Sequence, residues 1–332
     1  MKLVTVEEHY SSKKIFDEIR KNNSKEQGNN DAKVGETPSE ASDLIDMRIA
    51  YMDKQGIDAQ VISYAGGSAM TAGMDKEQAI SICQKINNEM YEAGLKVKKE
   101  NKNRLYFFAH LPIAYPDEAA KELERCVKEI GFVGAMISGH YKRLFYDDEY
   151  YFPIFKKAQE LDVPLYLHPG IVSENILKEY YAGKWDEKTA FSFGGYGIGW
   201  HYEVGVQVIR MMLAGVFDKL PNLKIILGHW GELVSFYMYR LDEMLDYGVQ
   251  MKNKFSEYFK KNIYVNPSGM LYKEQFEYCL NTFGVDHILW GEDYPYRKME
   301  NIRSFLEKLD ISEEDKNKIG YENAKKLLKI NL

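Results

Sequence analysis

The stretch PLYLHPG at residues 164–170 is an apolar run that stops abruptly at a histidine and turns through Pro-Gly. Two later stretches share the pattern: KIILGHWGE at 224–232, and ILWGEDYP at 288–295, which ends in carboxylates instead of an imidazole. Polar groups closing a buried strand need partners, because an unpaired one in apolar surroundings is costly. Working outward, five more short apolar runs have strand character: Leu3–Val6, Ala59–Ser63, Leu105–Ala109, Val133–Ile137 and Ile263–Val265. With Pro164–Leu167, Lys224–Leu227 and His287–Trp290 they make eight. Amphipathic runs separate nearly all of them, among them Lys76–Lys98, Pro116–Glu129, Tyr151–Leu161, Val204–Phe217 and Leu271–Thr282. Such alternation means parallel strands with helical crossovers, and eight units fit a closed (β/α)8 TIM-like barrel better than an open sheet. The expected fold class is therefore α/β, with residues 1–332 forming a single barrel domain.

Two insertions interrupt the rhythm, after the first and fifth runs. Glu18–Asp43 is polar and loop-like. Gly170–Trp200 carries Tyr180, Tyr181, Trp185, Phe191, Phe193, Tyr196 and Trp200 between glycines. It can roof a pocket, form a subunit contact, or make a satellite hydrophobic cluster under a long loop. Ser312–Ile330 reads as a C-terminal helix.

The histidines point to the site. His9, His110, His140, His168 and His229 each follow a strand run, as does Asp293. In a barrel these C-terminal strand ends converge on the face that carries the active site. His287 opens its run, and His201 opens a helix beyond the second insertion, so both lie off the pattern. Glu7 and His9 stand two apart, which on a strand puts both side chains on one side. A shared cation would partner these groups. Two carboxylates and two imidazoles suit Mn2+, Fe2+ or Zn2+, with Mn2+ and Zn2+ foremost, and no thiolate favours a softer metal. In HWGE, Glu232 can hold the His229 ring in one tautomer, as an acid–base pair would need.

Composition sets the outer limits. The 332 residues carry 44 basic and 50 acidic side chains, a net charge of −6, which gives no continuous basic strip for nucleic acid. The N-terminus MKLVTVEEHY is no signal peptide and no apolar run reaches membrane length, so the cytoplasm is expected. Cys83, Cys126 and Cys279 form no CxxC pair and no disulfide framework. GGYGIG at 194–199 follows no strand and lacks dinucleotide-binding spacing.

Several stretches together resemble the amidohydrolase-2 branch of the amidohydrolase superfamily. They are EEH at 7–9, RIAYMDKQGIDAQVIS at 48–63, LPIAYPDEAAKELERCVKEIGFVGA at 111–135, YLHP at 166–169, AGVFDKLPNLKIILGHWGE at 214–232 and GEDYP at 291–295. Within that branch the sequence is most similar to the nonoxidative aromatic-acid decarboxylases, such as those acting on γ-resorcylate, 2,3-dihydroxybenzoate and 5-carboxyvanillate. The resemblance implies Glu7, His9, His168 and Asp293 as ligands of one divalent metal, with His229 and Glu232 as the acid–base pair. Hydrolytic relatives typically carry His-x-His where this chain has Glu-x-His, and the lysine of a dinuclear site is absent from MISGHY at 136–141.

The expected reaction is nonoxidative decarboxylation of a hydroxylated aromatic acid, with Asp293 as proton donor to the ring carbon and His229 assisting the phenol. Arg48 is a candidate substrate contact, or else an interhelical salt bridge. His110, His140 and VNPSGM at 265–270 depart from the decarboxylase pattern and face the expected pocket. A hydrolase or hydratase using the same ligands is the alternative, and a silent scaffold is a third reading. The resemblance also implies a homodimer or homotetramer.

Overall fold

The computed structural model describes residues 1–22, 38–100, 103–139, 141–142, 144–245 and 251–332. His140 and most of the first insertion lie outside them. The strands are β1 (Val4–Tyr10), β2 (Ala59–Tyr64), β3 (Leu105–Phe107), β4 (Ala109–His110), β5 (Ala135–Ser138), β6 (Leu165–His168), β7 (Ile225–Leu227) and β8 (Ile263–Val265). Every paired neighbour is parallel, in the orders β1-β2-β3 and β4-β5-β6-β7-β8.

Backbone hydrogen bonds join these two sheets into a ring. Phe108 N–H donates to Ile62 O (3.0 Å) and Ala109 N–H to Gly134 O (2.9 Å), so β3 and β4 act as one barrel strand handing over from β2 to β5. On the other side, Leu289 N–H donates to Val265 O (2.8 Å) and Val6 N–H to Trp290 O (2.9 Å). The expected eighth strand, His287–Trp290, thus occupies its place between β8 and β1, but as bridges and not as a ladder. His287 belongs to a short 3-10 turn, Val285–His287, and its ring bonds Ile263 O (2.7 Å). The barrel is built from these eight positions.

Side-chain alternation sorts the strands into two layers. Val4, Val61, Tyr106, Phe108, Met136, Tyr166, Ile226 and Leu289 pack together inside the barrel. Ile62, Phe107, Ile137, Leu167, Leu227 and Val265 pack outward against the helices. The C-terminal helical run Glu313–Leu328 adds Tyr321, Ala324, Leu327 and Leu328 to the inner cluster. It seals one end of the barrel, which leaves the C-terminal strand ends as the way in.

The first insertion starts later than its polar composition suggests. Lys13–Asn22 is a helix, because Ile15 and Ile19, one turn apart, are both buried. The second insertion is largely helical and forms an aromatic cluster, with Tyr181 and Phe193 rings 5.0 Å apart and Trp185 Nε1 donating to Tyr181 O (2.8 Å). Its last turn leads directly into the helix Gly199–Leu213.

Candidate metal centre and acid–base pair

Glu7 and His9 project from β1 and His168 closes β6, and potential ligand atoms of the three lie within 4.8 Å of one another. Asp293 joins them through its Oδ1, 3.0 Å from His9 Nε2. The backbone dictates that meeting: Asp293 N–H donates to Glu7 O (2.8 Å) and His9 N–H to Tyr294 O (2.7 Å).

The donor chemistry fits a cation. Glu7 is fully buried, and its Oε2 accepts hydroxyl bonds from Tyr166 and Ser268. Its Oε1 has no hydrogen-bond partner among the described residues and lies 3.7 Å from His168 Nε2. His168 Nδ1 donates to Pro169 O (3.0 Å), which leaves a lone pair on Nε2. A lone pair facing a carboxylate oxygen cannot hydrogen-bond it, whereas a cation between them satisfies both. Burial lowers His9 and His168 to about 4, so both imidazoles are neutral and able to ligate. Burial also raises Asp293 to about 7, against the pull of His229 and Arg297. Gly228 leaves room for this arrangement: a Cβ there would meet Ser268 Oγ at 2.6 Å, Tyr166 OH at 2.7 Å and Glu7 Oε2 at 2.9 Å.

The second cluster stands beside the first. His229 Nδ1 and Glu232 Oε1 are 2.7 Å apart, and His201 Nδ1 and Glu232 Oε2 are 2.8 Å apart. Burial alone would lower His229, but the Glu232 carboxylate beside it brings it up to about 9. Burial likewise works against Glu232, and the two imidazoles hold it at about 2. The chain reaches this geometry through an unusual turn. His229, Trp230, Gly231, Glu232 and Leu233 all have positive φ, between 46° and 88°, and only one is glycine. Left-handed conformation costs a non-glycine residue roughly 1–2 kcal/mol. Anchoring offsets that cost: Trp230 is buried, its N–H donates to Asn266 O (2.9 Å) and its indole to Met270 O (2.8 Å).

Arg48 is the next of the expected site residues. The helix Asp46–Gln55 lays it on the outer side of β1 and β2, where it is fully buried. It donates to Gln60 Oε1 (2.9 Å) and to His9 O, and lies 4.9 Å from the Tyr294 ring centre. Those partners let it hold the β1 backbone at His9. Glu8 shares this outer layer, accepting from Tyr294 N–H (2.8 Å) and Glu292 N–H (3.4 Å). His110 points inward, since its partner Met136 and its neighbour Phe108 both belong to the inner cluster. Among the described residues its Nε2 has no hydrogen-bond partner, burial holds it down to about 4, and Asn87 clamps its backbone at 2.9 and 3.0 Å.

Three residues at the site escaped the sequence reading. Tyr166 reads as a plain strand residue, and only its inward face reveals its bond to Glu7. Ser268 lies in VNPSGM, a segment visible as a departure but without a role. His201 has no strand-end position at all, and the helix that carries it reaches Glu232 only through packing.

A closed parallel barrel with a buried carboxylate–imidazole cluster able to hold a metal ion at its C-terminal strand ends is the arrangement of metal-dependent barrel enzymes. The chain belongs to the amidohydrolase family, whose model matches residues 39–330. The γ-resorcylate decarboxylase of Polaromonas sp. strain JS666 is 34% identical over 307 residues, covering 89% of this chain and 90% of that protein. A dihydroxybenzoic acid decarboxylase structure from Polaromonas sp. JS666, with bound manganese and the inhibitor 2-nitroresorcinol, is 30% identical, with a TM-score of 0.83 over 100% of this chain and 98% of that one. The 5-carboxyvanillate decarboxylase from Sphingomonas paucimobilis is 27% identical, with a TM-score of 0.87 over 99% of each chain.

Proposed function

We propose that this protein is a metal-dependent carboxy-lyase that removes the carboxyl group of a hydroxylated aromatic acid without oxidation. The observation that carries the reading is the buried Glu7 Oε1, without a hydrogen-bond partner among the described residues, facing the His168 Nε2 lone pair, with the Asp293 carboxylate 3.0 Å from His9 Nε2 beside them. Manganese and hydroxylated-ring ligands in the related decarboxylase support it. Glu7, His9, His168 and Asp293 would hold one divalent ion, Mn2+ or Zn2+. When bound, that ion supplies Lewis acidity and a template for the substrate carboxylate and its neighbouring phenolic oxygen.

The remaining chemistry falls to the side chains. Asp293 is the donor that delivers a proton to the ring carbon bearing the carboxylate. The bond between that carbon and the carboxylate then breaks, its electrons restore the aromatic ring, and CO2 leaves. His229, kept cationic by Glu232, stabilises the phenolate and returns the proton balance. His110 Nε2, inward and unpaired, is placed to meet a second polar substituent, with His140 a companion candidate from the next strand end. Arg48 acts only through the β1 backbone.

The same proposal covers the setting. The whole chain acts as one barrel domain in the cytoplasm, consistent with three free, buried cysteines, and no described helix is long and apolar enough to cross a membrane. A homodimer or homotetramer would cover the aromatic face of the helix Val234–Met244, where Phe236 is 72% exposed.

The test is CO2 release from a panel of ortho-hydroxybenzoates by Mn2+-loaded protein, run beside lactone and ester hydrolysis with metal content measured on the same sample. Release that stops on chelation supports the proposal. Hydrolysis without CO2 would move the protein to the hydrolytic side of the family.

A further inference from the structure

The carboxylate of Glu232 serves two imidazoles, and only one of them, His229, has a place in the proposed reaction. His201 comes from the first turn of the helix Gly199–Leu213, directly after the aromatic insertion. That helix comes close because residue 205 is glycine: a Cβ there would stand 2.7 Å from Glu232 O. His201 and His229 ring centres are 4.2 Å apart, with the Glu232 carboxylate bridging their Nδ1 atoms at 2.8 and 2.7 Å.

The far side of His201 determines what it can give Glu232. Trp200 Nε1 lies 3.0 Å from His201 Nε2 in donor geometry. An indole N–H only donates, so His201 Nε2 must present its lone pair. The proton of that ring then sits on Nδ1 and is donated to Glu232. Tyr196 O also lies 3.2 Å from His201 Nε2, and it would accept only from a ring protonated there. The two contacts are mutually exclusive, and the indole selects the neutral Nδ1–H form.

We infer that Trp200 and His201 are positioning residues that keep the negative charge of Glu232 available to His229. With the indole in place, His201 contributes a neutral donor that orients the carboxylate. Without it, Tyr196 O favours a proton on Nε2, the Nδ1 lone pair would then face Glu232, and the imidazolium becomes the form that satisfies both neighbours. A cationic His201 competes with His229 for a single carboxylate. This couples the aromatic insertion to the acid–base pair, and it rests on the reading of His229 as the acid–base group.

The prediction is a pair of opposite shifts. Trp200→Phe lowers the pH at which His229 loses its proton. His201→Leu raises it, because Glu232 then has one imidazole to serve. His201→Gln, whose amide can donate to Glu232, stays near the parent. Each shift is roughly one pH unit, the scale of one charge-assisted hydrogen bond against a neutral one. Other charges facing the pair are Glu7, Asp293, His9 and His168 around His229, Glu203 near Glu232, and Asp293 near His201. None of them is altered, so they cancel between parent and variant.

The measurement is a nitrogen NMR titration of the histidine-labelled, Zn2+-loaded protein, with the pH profile of CO2 release followed in parallel. In the parent, His201 shows Nδ1 protonated and Nε2 unprotonated. Opposite shifts of His229 in the two variants support the inference even if no substrate is decarboxylated, which would indict the proposed reaction alone. Shifts of the same sign, no shifts, or a parent His201 protonated at Nε2 would overturn it.

Discussion

Tyr166→Phe isolates what holds Glu7, a proposed metal ligand, in place. The substitution deletes one oxygen from a fully buried ring and leaves the packing of β6 intact. It removes a hydroxyl bond to Glu7 Oε2, where Ser268 remains the other donor, and strands Asn266 Nδ2, which donates to that hydroxyl at 2.9 Å. A hydrogen bond to a charged group contributes about 1.5–3 kcal/mol. If that amount orients Oε1 toward the metal, affinity falls by roughly 10–100-fold, the usual effect of losing a ligand's supporting partner. The two magnitudes agree, since about 1.4 kcal/mol is tenfold in binding. The assay is competition for Mn2+ or Zn2+ against a chromophoric chelator at fixed pH, with denaturation of metal-free protein as the control. The reasoning predicts weaker metal binding well beyond any change in metal-free stability. An affinity within about threefold of the parent, with Glu7→Gln still abolishing binding, would show that Ser268 alone orients the carboxylate.

Other outcomes follow from the same geometry. His168→Ala should lower metal content sharply, and full occupancy by elemental analysis would contradict its assignment as a ligand. Asp293→Asn should abolish CO2 release even where metal is retained, and a near-normal rate would remove Asp293 from the proton transfer. Stability should depend on pH through the His229–Glu232 pair. Glu232, held at about 2 against an ordinary 4.5, stabilises the fold above 4.5, and this is lost as pH falls through 2. His229, raised to about 9 from 6.5, stabilises fully below 6.5, and this is lost as pH rises through 9. The pair therefore contributes most between 4.5 and 6.5, and denaturation midpoints of Glu232→Gln should lose most of the decline seen above that window. Phe236→Asp on the exposed helix face should shift the protein toward monomer by light scattering, and an unchanged mass would place the subunit contact elsewhere.

Much of this molecule is legible in its sequence because strands and their ends carry local signals. Apolar runs of three to five residues mark the barrel strands, six of them followed by His or Asp, and Ile263–Val265 matches its run residue for residue. The two-residue spacing puts Glu7 and His9 on one strand, and the HWGE spacing pairs His229 with Glu232. The boundaries that moved did so for packing reasons. Ile15 and Ile19 extend a helix into polar sequence, and His287 turns away to bond Ile263 O.

What only the tertiary structure decided concerns contacts between residues far apart in the chain. Nothing near residue 166 or 268 marks either side chain as a support for Glu7, because that role depends on three strand ends meeting inside a closed ring. On sequence grounds Arg48 could have met a substrate or made an interhelical salt bridge. The packing of its helix on β1 and β2 turned it to the backbone of His9. His201 reaches Glu232 because a helix passes close at Gly205 and because five consecutive residues take a left-handed turn. Sequence patterning reports what each segment buries, since burial follows a local period of two or 3.6 residues. It does not report which buried polar groups meet, since that is set by where the closed barrel brings distant segments together.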